Sequence, residues 1–168
     1  CISNTGINAE LVNAGKEPTA LINLQMFRYV LIGGAGNTLG LVLLMCKSKS
    51  KHIRSIGRLS VLPGICGINE PIIFGMPIVL NPILIVPFIL SPLISMGIGA
   101  LLISSGIVLP GTLDVGWTTP QPIKAFLSAG GSLGTALSVI IVFIICVLIY
   151  LPFVNMANKQ TLEKEENK

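Results

Sequence analysis

The chain has 168 residues, of which 52% are hydrophobic and 11% charged, with a net charge of +4 and a mean hydropathy of +0.84. These proportions lie far from the mix of a soluble domain and describe a membrane protein. Soluble-enzyme chemistry has no foothold, since HExxH, GxSxG and complete phosphate loops are all absent.

The chain opens at Cys1 with mildly polar residues and no basic-then-apolar leader, so it reads as a fragment of a longer protein whose targeting information lay upstream. Four cysteines, Cys1, Cys46, Cys66 and Cys146, are scattered without CxxC spacing. They read as small packing residues, and neither metal nor cofactor is expected.

Residues 27–46 form the first long apolar run, about the length that crosses a ~30 Å hydrocarbon core as a helix. Inside it, Gly33-Gly34-Ala35-Gly36-Asn37-Thr38-Leu39-Gly40 resembles a nucleotide-binding glycine loop, but Leu39 stands where the third glycine belongs and no strand precedes it. The sequence predicts a close-packing helix face instead, with Gly36 and Gly40 as a GxxxG pair and Asn37 and Thr38 able to hydrogen-bond across it.

Lys47, Lys49, Lys51, Arg54 and Arg58 then crowd around His52, the only histidine. By the positive-inside rule this is a cytoplasmic loop, with His52 a solvated surface residue. No aromatic residues interleave with the basic ones, so nucleic acid is not an expected partner.

Residues 59–82 are apolar but broken by prolines 63, 71, 77 and 82 and by glycines 64, 67 and 75, which rules out one regular helix. In lipid, irregular backbone is tolerated only where protein or a watered cavity covers it, the way re-entrant hairpins of transporters present their binding groups. Glu70 falls in this segment and is the one charged side chain in residues 59–109. An acidic group near a membrane centre costs roughly 2–3 kcal/mol, so Glu70, with Asn69 beside it, is expected to face an internal cavity and bind something. The plainer reading is a tight polar turn in which Glu70 caps a half-helix.

Residues 83–109 should cross the membrane with a kink from Pro87 and Pro92. A polar, proline-rich stretch follows, holding Trp117, the only tryptophan, with Thr118 and Thr119 beside it. Trp117 reads equally as an interfacial anchor or as a ring that stacks a sugar. The last span is expected over residues 133–153, with Tyr150 and Pro152 marking its exit, and residues 159–168 as a disordered cytoplasmic tail. The sequence thus predicts an all-α integral membrane protein of about three transmembrane helices plus re-entrant, proline-broken helical hairpins. Residues 1–158 form one incomplete transport unit. A topology with residues 59–82 and the Trp117 loop both re-entrant closes with the tail inside.

The motif Gly67-Ile68-Asn69-Glu70-Pro71-Ile72-Ile73-Phe74-Gly75-Met76-Pro77 resembles the signature of the IIC component of sugar phosphotransferase systems, in the lactose/cellobiose/diacetylchitobiose branch. The glycine-rich run 33–41 and Trp117-Thr118-Thr119-Pro120 are similar to further motifs of that branch, in the same chain order. The resemblance implies a multi-pass permease of the bacterial cell membrane that binds a disaccharide and presents it to the cytoplasm. There the separate IIB protein, itself charged by IIA, phosphorylates it from a phosphocysteine. It also implies that Glu70 is the principal sugar ligand, with Asn69, Trp117 and Thr118 at the same site. A base role for Glu70 is left open.

The family's dimer-forming helices and a substrate-site histidine precede the matching region, so His52 is not that histidine. The resemblance therefore implies the C-terminal part of a transport domain that dimerises through helices absent here and does not transport alone. The rival class is an ion-coupled secondary transporter or channel, which also places a carboxylate amid broken helices.

Overall fold

The computed structural model describes residues 2–16, 30–109, 112–116 and 118–166, and every regular element among them is helical. In chain order these are α1 (Ile2–Asn13), α2 (Thr38–Cys46), α3 (Lys51–Ile65), α4 (Glu70–Gly75), a single 3-10 turn (Ile78–Leu80), α5 (Ile85–Ser104), α6 (Gln121–Ser128) and α7 (Leu133–Glu166).

Among the described residues two helices, α5 and α7, are long and apolar enough to cross a membrane. Their outward faces carry Leu93, Leu101, Leu137 and Leu148, each at least 59% exposed, the reverse of a soluble helix surface. Their inward faces meet α2 and α6 in two apolar clusters. One is built on Val30, Ile103, Val139 and Cys146, the other on Leu41, Met45, Ile72 and Tyr150.

The predicted first span is not a continuous helix. Residues 27–29 lie outside the described residues, and within 31–37 the chain is irregular, with Gly33, Gly34 and Gly36 at φ 78°, 84° and 82° and Asn37 at φ 54°. Left-handed backbone of this kind is accessible to glycine and tolerated by asparagine, and it ends helical hydrogen bonding locally. Regular helix begins only at Thr38.

The basic segment is also not a loop. Lys51, His52, Arg54 and Arg58 lie on α3, whose N-cap Ser50 accepts from the Ile53 amide at 3.5 Å and whose buried face is Ile53, Gly57, Ser60 and Gly64. The 3.6-residue spacing of those small and apolar positions makes the segment an amphipathic helix. Gly57 lets α2 come close, since a Cβ there would lie 2.9 Å from the Cys46 amide nitrogen.

A Schellman closure ends α3: Ile68 N donates to Pro63 O at 2.9 Å and Gly67 N to Gly64 O at 3.1 Å, with Gly67 at φ 81°. The chain reverses there into α4, whose end returns to α3 where Gly75 faces Ile56. This is the expected proline-broken hairpin, beginning earlier than predicted, at Lys51. The second reversal is closed by Thr112 N and Leu113 N, which donate to Ser128 O at 2.8 and 3.1 Å and tie the two ends of the 112–128 segment together.

The last span continues past its predicted end. α7 runs 34 residues, about 50 Å, through Pro152 to Glu166, so residues 159–166 are helical and not a disordered tail. Pro152 leaves the Leu148 carbonyl without its helical donor but stands on an exposed face, and Asn158 accepts from Ser48 Oγ at 2.6 Å to hold the extension. Tyr150, expected near the exit of the span, is fully buried.

Candidate functional site

Glu70 begins α4 and is exposed on the surface of this chain. Its place in the first turn suits the positive end of the helix dipole, and its exposed carboxylate is open to a ligand. Asn69, the N-cap of α4, is 9% exposed and makes no side-chain cap bond. It turns instead to the glycine-rich loop, where its Nδ2 donates to Ala35 O at 2.6 Å.

Four of the loop's six carbonyls are satisfied by side chains. Leu31 O accepts from Gln121 Nε2 at 2.9 Å, Gly33 O from Thr38 Oγ1 at 2.6 Å, Ala35 O from Asn69 and Gly36 O from Tyr150 OH at 2.5 Å. Two backbone amides complete the run, Leu39 N reaching Ile32 O at 3.5 Å and Asn37 N reaching Gly34 O at 3.1 Å. Six consecutive carbonyls are therefore occupied, as irregular backbone at membrane depth requires.

Asn37 anchors the loop from beneath. Its Oδ1 accepts from Ile32 N at 2.8 Å and its Nδ2 donates to Ser95 Oγ at 2.7 Å and Ser91 Oγ at 3.3 Å on α5. Ser95 in turn lies 3.3 Å from Cys146 Sγ on α7. Cys146 is a packing thiol in this network, and like Cys46 and Cys66 it is free of any disulfide.

Gly36 and Gly40 do not share one helix face, because Gly36 sits in the irregular loop. They admit different neighbours: a Cβ on Gly36 would lie 2.3 Å from the Phe88 ring, and one on Gly40 would lie 3.2 Å from Val147 N. Gly34 packs against the Glu70 turn, where a Cβ would come within 2.8 Å of Gly67 O.

Thr118 is exposed beside a turn closed by Thr119 N donating to Gly116 O at 3.1 Å. Trp117 lies outside the described residues. The sequence reading overlooked Gln121 and Lys124, both 3% exposed on α6. Lys124 had a signal, as the only basic residue between Arg58 and Lys159. Gln121 had none, because its role comes from a carbonyl 90 residues away. Among the described residues no group of three or more His, Cys, Asp or Glu could hold a metal ion.

Helices long enough to span, two chain reversals packed among them, and an exposed carboxylate at one reversal are features that a helical membrane protein of the solute-transporter class combines. The family model "Phosphotransferase system, EIIC" matches residues 1–92, more than half of the chain, and the chain belongs to that family of membrane transporters. It is 42% identical over 157 residues to the lichenan permease IIC component of Bacillus subtilis (strain 168), covering 92% of this chain and 34% of that protein. With the lactose-specific EIICB component of Staphylococcus aureus (strain N315) it shares 34% identity over 169 residues, 99% of this chain and 30% of that one.

The fold matches the crystal structure of ChbC, the IIC component of an N,N'-diacetylchitobiose-specific phosphotransferase system, with TM-score 0.95 and 35% identity over 99% of this chain and 39% of that one. The chain spans about a third of the length of the curated relatives it matches.

Proposed function

We propose that this chain forms part of the sugar-translocating unit of a phosphotransferase permease that binds a disaccharide for phosphorylation by IIB. The observation that carries the reading is Glu70, an exposed carboxylate at a chain reversal otherwise built from apolar residues. An ionised carboxylate accepts hydrogen bonds from two sugar hydroxyls, and such charge-assisted bonds are about twice as strong as neutral ones. Glu70 is the principal ligand. Asn69, with its Nδ2 engaged by Ala35 O, offers its Oδ1 to a hydroxyl donor.

Thr118 contributes a hydroxyl and Trp117 an aromatic face. Two of the similar proteins support a disaccharide, one named for lactose and the solved neighbour for N,N'-diacetylchitobiose, and a third is named for the glucan lichenan. The fused EIICB relatives support IIB as the phosphoryl donor. The membrane is the bacterial cell membrane, with the end of α7 on the cytoplasmic side, where Asn158 bonds Ser48, the residue whose carbonyl accepts from Arg54 of the basic helix α3.

The experiment is sugar uptake by the full-length protein in cells with and without the phosphotransferase donors. Phosphorylated sugar should accumulate only when the donors are present. Accumulation of unmodified sugar driven by an ion gradient sinks the reading in favour of a secondary transporter.

A further inference from the structure

The turn at Asn69 and Glu70 and the start of α6 at Gln121, three residues after Thr118, are remote in sequence and belong to different hairpins. Both hold the same short loop. Asn69 takes Ala35 O at 2.6 Å and Gln121 takes Leu31 O at 2.9 Å, four residues apart on that loop. Gly34 adds a backbone contact to the Asn69 side, with Gly67 O where its Cβ would stand.

Slack between these two attachments is small. The carbonyls of residues 32, 33, 34 and 36 are each engaged by another donor, and Asn37 pins the loop to α5 through Ser95. On the other side, Gln121 opens α6, where Lys124 N donates to Pro120 O at 2.9 Å, and Thr118 sits just before it in the turn that Thr119 N closes onto Gly116 O at 3.1 Å. A displacement of either hairpin must therefore move the loop, and the loop must move the other hairpin.

We propose that the loop at 31–37 couples the Glu70 turn and the Thr118 segment into one body, and that Gln121 is the positioning residue that makes the coupling. Gln121 touches no sugar; it sets the distance between the groups that do. The inference rests on the sugar-site reading for its consequence in binding, but the coupling itself is a property of the fold.

The test uses the full-length protein and two readouts. Gln121→Met keeps the length of the side chain and removes the donor to Leu31 O. Without sugar, hydrogen exchange should rise at amides 31–37 and also at 66–70, on the far hairpin. With a disaccharide, the dissociation constant should rise by up to about fivefold, the ceiling if the whole of one lost hydrogen bond is felt at the sugar.

The effect of Thr118→Val should shrink in the Gln121→Met background, whereas a merely structural role leaves the two effects additive. Faster exchange confined to residues 121–128, with additive binding effects, overturns the proposal. Gln121→Glu, which replaces the donor by an acceptor at the same length, supplies the same comparison if Gln121→Met does not accumulate. If Glu70→Gln leaves binding intact, the sugar-site reading fails while the exchange at 66–70 still decides the coupling.

Discussion

The side-chain amide of Asn69 donates to the carbonyl of Ala35 at 2.6 Å, across 34 residues of chain, and so fastens the residue before Glu70 to the glycine-rich loop. The two neighbours of the Asn-Glu motif thereby have different tasks. Asn69 is fastened to the loop, and the side chain of Glu70 is left exposed.

Substitutions at the two positions should separate these tasks. Glu70→Gln removes a charge from an exposed position and should leave the melting temperature nearly unchanged while weakening disaccharide binding by about tenfold or more, the value of a charge-assisted bond. Asn69→Asp sets an acceptor against the Ala35 carbonyl and should lower stability by about 1–3 kcal/mol. Calorimetric binding together with thermal unfolding of the full-length protein checks both. A stability loss in Glu70→Gln comparable to that in Asn69→Asp contradicts the division.

Tyr150→Phe preserves the ring in the core but leaves Gly36 O without its donor. The expected loss is about 1–3 kcal/mol, the desolvation penalty of a buried carbonyl, with hydrogen exchange rising first in residues 31–37. Unchanged stability would mean that another donor reaches that carbonyl.

Gly36→Ala meets two obstacles at once, a Phe88 ring 2.3 Å from the new Cβ and a backbone at φ 82°. Overpacking and left-handed strain together should destabilise by about 2–4 kcal/mol. Adding Phe88→Ala should recover the steric part only, leaving the strain. Full recovery in the double variant would show that the φ angle carries no penalty.

Asn37→Ala removes the acceptor for Ile32 N and the donor to both serines, and about 2–4 kcal/mol should be lost from the missing bonds and the left-handed alanine. Ser95→Ala should be more damaging than Ser91→Ala, since its bond is 2.7 Å against 3.3 Å. Equal effects of the two serine variants would count against Ser95 as the main anchor.

Residues 153–163 should show helical protection in hydrogen exchange, because α7 continues through them and Ser48 holds Asn158. Asn158→Ala should loosen this end with a stability change of about 1 kcal/mol. Free exchange throughout the segment would restore the disordered-tail reading.

Much of this was visible in the residues alone. The high apolar fraction named the solvent, the prolines and glycines of residues 59–82 excluded a straight helix, and the Asn69-Glu70-Pro71 motif carried the family resemblance. Periodicity failed where tertiary bonds decide the backbone. Gly36 and Gly40 have the spacing of a helix face, yet six side-chain and backbone donors hold residues 31–36 out of helical geometry. The basic segment looked like a loop because its charges hid the small-residue stripe of Ile53, Gly57, Ser60 and Gly64, which becomes a packed face only against α2.

Composition and local pattern thus determined the membrane setting, the helical class, the breaks in the chain and Glu70 as the group to explain. Only the tertiary structure decided that Asn69, Gln121, Asn37 and Tyr150 converge on one loop. Those pairings join residues up to 114 positions apart, and no periodicity within a segment encodes which distant carbonyl a side-chain donor will meet.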